Sequence, residues 1–219
     1  MAILFTQYWD VLPGKFDEYS AFVTNEYIPQ VTKVGLKLLG GYYVAVGEGP
    51  RIIVVATVDE QDYLRKILST EEYRVITAKL LQIVHKYSCK LWVSSGRVIE
   101  EPYGIQTGAW KFNQYYNVLP GAEEAHYRFV KDECIPGMKE LRVPITGAWR
   151  LLIGSGAQIL AECSARDLVD IAKCIDSAEF RRLVRRLKKH FAIDYSSRIL
   201  APTGRIEIPS LLSEMMKRF

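Results

Sequence analysis

The chain has little of what usually announces a chemistry. Its 219 residues include three histidines and four cysteines. Cys89, Cys134, Cys163 and Cys174 show neither a Cys-x-x-Cys pair nor Cys/His metal spacing. They read as reduced, mostly buried small hydrophobes; no metal and no cofactor is expected. Phosphate-loop and nucleophile–base motifs are also missing. No apolar run approaches the roughly 18 residues needed to span a bilayer, so no membrane association is expected. Met1 to Phe5 lacks a basic n-region and a cleavage signature and enters a strand almost at once, which makes the cytoplasm the expected location. A net charge of +4 is mild, and nothing in it points to nucleic acid.

What the chain does have is a repeat. Phe5-Thr-Gln-Tyr-Trp-Asp-Val-Leu-Pro-Gly14 returns as Phe112-Asn-Gln-Tyr-Tyr-Asn-Val-Leu-Pro-Gly121, an offset of 121 − 14 = 107. Glu26, Ile28 and Pro29 match Glu133, Ile135 and Pro136, and Gly47-Glu-Gly49 matches Gly154-Ser-Gly156. After one inserted residue, Tyr87-Ser88 and Gly96-Arg97 match Tyr195-Ser196 and Gly204-Arg205. None of the cysteines recurs: their counterparts are Ser197, Tyr27, Ala56 and Ile67, which argues against a duplicated disulfide or zinc centre. Two homologous units of roughly 105 residues each suit the usual size of a small domain.

Each half reads β-α-β-β-α-β. Ile3 to Val11 is aromatic and β-branched and stops at Pro13-Gly14, a strand ended by a turn. Phe16 to Val34 has helical spacing with Pro29 inside it, as Pro136 is in the second half, so a kink or an end is expected there. Leu36–Val46 and Arg51–Val58 flank Gly-Glu-Gly-Pro as a hairpin. A short helical turn over Asp62–Leu68 precedes capping-box spacings at Ser69-x-x-Glu72 and Asp176-x-x-Glu179, which place the second helix. Tyr87–Ser95 closes the half. Phe180 to Phe191 is one helix with Phe180, Leu183, Val184, Leu187 and Phe191 on a buried stripe; its basic residues read as a solvated face or a polyanion site.

A unit of this order covers one sheet face with its own helices and leaves the other bare, and strands this apolar cannot leave a face in water. A second copy on the same chain supplies the partner. The expectation is α+β: two tandem ferredoxin-like βαββαβ halves, 1–98 and 108–206, packed sheet to sheet as an intramolecular dimeric α/β barrel around a lined chamber. A linker over 99–107 joins them. A tail over 207–219 carries an apolar helix face that covers a barrel mouth or docks on another subunit as a homo-oligomer contact.

The strand–x-Pro-Gly–helix, the Gly-x-Gly hairpin and the Ser/Thr-x-Glu-aromatic start of the second helix resemble the dimeric α+β barrel superfamily, and within it antibiotic-biosynthesis-monooxygenase-like and NIPSNAP-like domains. The resemblance covers nearly the whole chain, once per half. It implies a small-molecule-binding protein: a cofactor-independent oxygenase, cyclase or isomerase acting on an aromatic or polyketide-like compound. A non-catalytic ligand-binding or assembly module with a side-chain-filled barrel, and haem or porphyrin binding, stay open beside it. Whether the chain is an enzyme at all stays open too. Haem-degrading members place a pocket amide where Gln7 and Gln114 stand, but Thr77 and Val184 occupy the position of their iron ligand. Regulators of this fold carry a helix-turn-helix domain for which the sequence has no room.

Alternation along the first strand of each half puts Phe5, Gln7 and Trp9, and Phe112, Gln114 and Tyr116, on one face each. Directed into the barrel, they would offer a carboxamide and a large aromatic from each half to a flat, partly polar ligand. The halves diverge where Tyr43 becomes Arg150, Val55 becomes Glu162 and Tyr19 becomes His126. Arg150 and Glu162 interrupt apolar strands and are the candidate catalytic residues, with Gln7, Trp9, Gln114, Tyr116 and Tyr43 as candidate ligand contacts. A structural ion pair or a surface-facing position is the other reading of the two charges. His126 is expected on the exposed side of its helix. Lys90 and Arg198 match on the last strands, as structural positions or as an anion clamp.

Overall fold

The computed structural model describes residues 3–96 and 108–203; the expected linker 99–107 and tail 207–219 lie outside them. The first half runs β1 (Ile3–Val11), α1 (Phe16–Phe22), a π-turn over Val23–Tyr27, α2 (Ile28–Lys33), β2 (Lys37–Val46), β3 (Ile52–Val58), α3 (Gln61–Ser69), α4 (Glu71–Leu80) and β4 (Val84–Ser94). The second repeats it as β5 (Trp110–Val118), α5 (Glu123–Phe129), a π-turn over Val130–Cys134, α6 (Ile135–Glu140), β6 (Ile145–Ile153), β7 (Ile159–Ala165), α7 (Leu168–Asp176), α8 (Ala178–His190) and β8 (Ala192–Pro202). No helix among the described residues is long and apolar enough to cross a membrane.

The kink expected at the prolines takes the form of a widened turn. Pro29 and Pro136 stand in the first turns of α2 and α6, directly after the two π-turns. Proline has no N–H for the carbonyl four residues back, and a local i→i+5 pattern lets the helix continue past it. The caps of α4 and α8 lie one residue beyond the expected boxes. Thr70 Oγ1 accepts from the Tyr73 amide at 3.2 Å and Ser177 Oγ from the Phe180 amide at 3.0 Å. Ser69 instead ends α3, its hydroxyl donating to the Arg65 carbonyl, because α3 and α4 abut with only Thr70 between them in extended conformation.

The eight strands form one antiparallel sheet that closes on itself in the order β1-β3-β2-β8-β5-β7-β6-β4. Each half contributes its own four strands, and the seams are β2 against β8 and β4 against β6. Because the order repeats after four strands, the pseudo-twofold relating the halves runs along the barrel axis.

Both faces of the sheet are buried. Toward the helices point Phe5, Trp9 and Val11, packed with Tyr19, Tyr27, Tyr73 and Leu80. Toward the axis point Leu4, Tyr8, Tyr42, Trp92, Tyr115, Trp149 and Leu200. Burial of each such side chain stabilises the fold by about 1.5–3 kcal/mol. The chamber expected between the sheets is therefore occupied by side chains. Glu162 lies on that axis, 1% exposed, within 2.6 Å of Lys111 Nζ and 2.7 Å of the donating Trp149 indole. Its first-half counterpart is Val55, and that of Lys111 is Leu4.

Candidate functional site

Gln7, Trp9, Gln114 and Tyr116 do not face the barrel axis as expected; they lie beneath the helices. Alternation had grouped them correctly, but both alternatives were apolar faces, and the register Gln7↔Val54 and Gln114↔Ala161 puts them on the helix side.

In the first half most of that space is full. The Gln7 carboxamide accepts from the Tyr27 hydroxyl at 3.1 Å and donates to Tyr73 at 3.2 Å and Tyr87 at 2.9 Å. The Trp9 indole donates to the Tyr19 hydroxyl at 3.0 Å and stacks on Tyr87 with centroids 6.1 Å apart. Tyr43 is buried at the edge, over a small cavity of about 180 Å³ shared with Asp10, Phe16 and Arg51.

The second half keeps the frame and thins the filling. By the 107-residue offset Trp9 becomes Tyr116, Phe16 becomes Glu123, Tyr19 becomes His126, Tyr27 becomes Cys134, Tyr43 becomes Arg150 and Tyr73 becomes Phe180. A cavity of about 420 Å³ opens there. Gln114, Tyr116, Ile159 and Ala161 form its floor on the sheet. Val130, Cys134 and Met138 wall it from α5–α6, and Phe180, Leu183, Val184 and Leu187 roof it from α8. Glu123, His126, Tyr127, Arg150, Ser94 and Ser95 add polar groups to the lining. Apolar walls with a few directed polar groups are what holds a small organic molecule.

Three features of this cavity are chemical. First, Gln114 keeps one phenol partner of the three that Gln7 has: the Tyr195 hydroxyl donates to its carbonyl at 2.9 Å, while its amide reaches only the Cys163 sulfur at 3.7 Å. A sulfur is a weak acceptor, so this amide retains donor capacity beside the cavity. Second, His126 turns inward rather than outward, its Nε2 3.0 Å from the Tyr116 hydroxyl and its ring edge-on to Tyr116 at 5.5 Å. Burial, followed by the neighbouring Cys134, Tyr195 and Cys163, holds the Tyr116 phenol far above its ordinary range, so it stays protonated, and its oxygen can accept from an imidazole Nε2–H, which leaves Nδ1 as the basic nitrogen. Third, burial and the adjacent Glu133 push the Cys134 thiol up to about 12, so it is no thiolate nucleophile at neutral pH.

Arg150 and Glu162 do not share a face. Arg150, paired in register with Ile159, belongs to the lining of the cavity. Glu162 belongs to the barrel axis as the partner of Lys111. The structure brings Gln114, Tyr116 and Arg150 together beneath the helices rather than at the barrel axis, and beside them His126, Cys134 and the α8 roof, which the sequence did not mark as site residues. The signal for them was present: a column of large aromatics in one half facing smaller residues in the other.

The basic helix α8 pairs much of its charge. Arg181 meets Asp176 at 3.1 Å, Arg182 meets Glu179 at 2.8 Å, and Arg182 and Arg186 converge on Glu133. Among the described residues no group of His, Cys, Asp or Glu is arranged to hold a metal. The cavity does not suit haem: the cavity position where the resemblance implies an iron ligand is Val184, and the one histidine in the lining is engaged with Tyr116.

The sequence matches no protein-family model and no curated protein. Solved structures do match the fold. A protein provisionally assigned as a monooxygenase from Lactobacillus acidophilus superposes with a TM-score of 0.63 at 11% identity, over 92% of this chain and 93% of that one. An anthrone oxidase-like protein gives 0.60 at 13% identity, over 92% and 91%. A chlorite dismutase variant from Candidatus Nitrospira defluvii gives 0.62 at 10% identity, over 94% and 93%. The fold of this chain is the closed eight-stranded α+β barrel, shared with these structures and built here from two βαββαβ halves of one polypeptide.

Proposed function

We propose that the second-half cavity binds a flat, largely apolar organic molecule bearing an ionisable oxygen, and that His126 serves as its general base. One observation carries this reading: the same chain fills the equivalent space in its first half with Trp9, Tyr19, Tyr27 and Tyr73 and leaves about 420 Å³ open in its second. Close packing is the rule in protein interiors, and a duplicated frame that loses the rings of Phe16, Tyr27 and Tyr43 on one side only supports a role for the space.

The polar groups suit an enolisable aromatic ketone or phenol. The Gln114 amide would donate to the ligand oxygen, Arg150 would balance the charge of an enolate, and His126 would take the proton on Nδ1 while its Nε2–H donates to the Tyr116 oxygen and fixes the ring. Proton removal from an anthrone gives an electron-rich enolate that reacts with dioxygen without a cofactor. The balance is anthrone plus O₂ to anthraquinone plus water. An anthrone oxidase-like protein of the same fold makes anthrone a reasonable probe.

The test is oxygen consumption with anthrone, followed together with anthraquinone absorbance. Wild-type protein is expected to accelerate both in one-to-one stoichiometry, and His126→Ala to lose about 10²–10⁴-fold in rate while still binding the probe. Binding without turnover would leave a ligand carrier, the reading that the side-chain-filled barrel favours. No binding would remove both.

A further inference from the structure

Lys90 on β4 and Arg198 on β8 occupy matching positions, 198 − 90 = 108 after the one-residue insertion. Their register partners are Thr6 and Asn113, which point to the barrel axis. Lys90 Nζ lies 5.5 Å from the Tyr8 ring centroid and 5.6 Å from that of Trp92. The Arg198 guanidinium lies 5.1 Å from the Tyr115 ring. Two half-buried cations thus face each other across the pseudo-twofold at the hairpin end of the barrel.

Each cation is covered by the hairpin of the other half. A Cβ on Gly49 would stand 2.6 Å from Arg198 Nη2, and one on Gly154 would stand 3.0 Å from Lys90 Cγ. Only glycine, at φ of +101° and +130° respectively, lets the backbone come so close.

Neither cation has an acidic partner among the described residues, in contrast to Lys111 on the same axis, which is matched by Glu162. Where this fold buries a cation for its own sake, it supplies the counter-charge. Burial, followed by the field of Arg198, holds the Lys90 ammonium below its ordinary range. The Tyr115 hydroxyl accepts from the Asn113 amide at 3.3 Å and keeps its own proton to donate.

We propose that the hairpin end of the barrel binds a small tetrahedral oxyanion, of the size of phosphate, between Lys90 and Arg198. The site is separate from the cavity beneath α8, since the two lie on opposite faces of the sheet. Free phosphate and a phosphorylated metabolite present the same chemistry here, and inorganic phosphate is the probe.

The experiment is calorimetric titration with inorganic phosphate, beside thermal unfolding in phosphate and in chloride at matched ionic strength. Wild-type protein is expected to bind one phosphate saturably and to be stabilised by it beyond chloride. Lys90→Gln and Arg198→Gln should each weaken binding by about tenfold, the double variant should lose it, and Arg185→Gln on α8 should leave it intact. Without phosphate, each single variant relieves the like-charge repulsion but gives up the ring contacts of the removed cation, so its stability should stay close to that of wild type. Stabilisation no greater than in chloride, persistence in the double variant, or loss in Arg185→Gln would each overturn the proposal. Should the variants fail to fold, ³¹P line broadening by unmodified protein decides, and a linewidth unchanged by protein refutes the site.

Discussion

The Tyr116 hydroxyl lies 3.0 Å from His126 Nε2, where the first half has the Trp9 indole donating to the Tyr19 hydroxyl over the same distance. The strand-to-helix link is conserved between the halves in position and changed in chemistry. An indole–phenol bond moves no protons near neutral pH; a phenol–imidazole bond includes a group able to take one. Restoring the first-half pair as Tyr116→Trp with His126→Tyr should therefore keep or raise thermal stability while abolishing ligand binding. Calorimetry and probe titration on the same sample check both halves of that expectation.

The two glutamines should respond in opposite ways. Gln7→Leu strips partners from two buried phenols, Tyr27 and Tyr73, and the half-buried Tyr87 and is expected to cost about 1–3 kcal/mol of stability without touching the second-half cavity. Gln114→Leu removes one good hydrogen bond and should cost less, yet weaken ligand binding by about tenfold. Urea unfolding and ligand titration of both variants make the comparison.

Lys111 and Glu162 form a buried pair, each side chain 2% exposed. Glu162→Val alone, which copies Val55, should destabilise by about 3–5 kcal/mol because it strands a buried ammonium. Adding Lys111→Leu, which copies Leu4, should recover at least half of that loss, with the Trp149 indole still lacking its acceptor. A double-mutant cycle in urea reads the coupling.

The buried thiol gives a pH signature. The Cys134 pKa is raised on folding to about 12 from an ordinary 9.0, so the folded protein holds this proton more tightly than the unfolded chain does. Its contribution to stability is full below pH 9 and is lost as pH rises from 9 toward 12. Cys134→Ala should flatten that part of the stability–pH curve. At pH 8, a thiol reagent should label exposed Cys89 well before Cys134, Cys163 or Cys174, as peptide mass spectrometry would show.

Much of the fold was legible because the repeat constrained every element twice: Pro-Gly turns, Gly-x-Gly hairpins and split strand order all recur at one offset. The orientation of β1 was not legible, for a physical reason. Phe5 and Trp9 on one face and Leu4 and Tyr8 on the other are equally apolar, because a closed barrel under helices buries both sides. Alternation separates such faces without labelling them. The π-turns were equally hidden, since Pro29 marks a disturbance but not the i→i+5 pattern that absorbs it. The cavity came from subtraction: Tyr27 against Cys134 and Tyr19 against His126 carry little meaning singly and much as a set.

The most direct test is a fluorescence titration with the anionic aromatic 8-anilinonaphthalene-1-sulfonate on wild type and on Cys134→Tyr, the variant that returns the first-half filling residue. One saturable site in wild type, absent in a folded Cys134→Tyr, is the predicted result. Equal binding by both proteins would contradict a ligand site beneath α8.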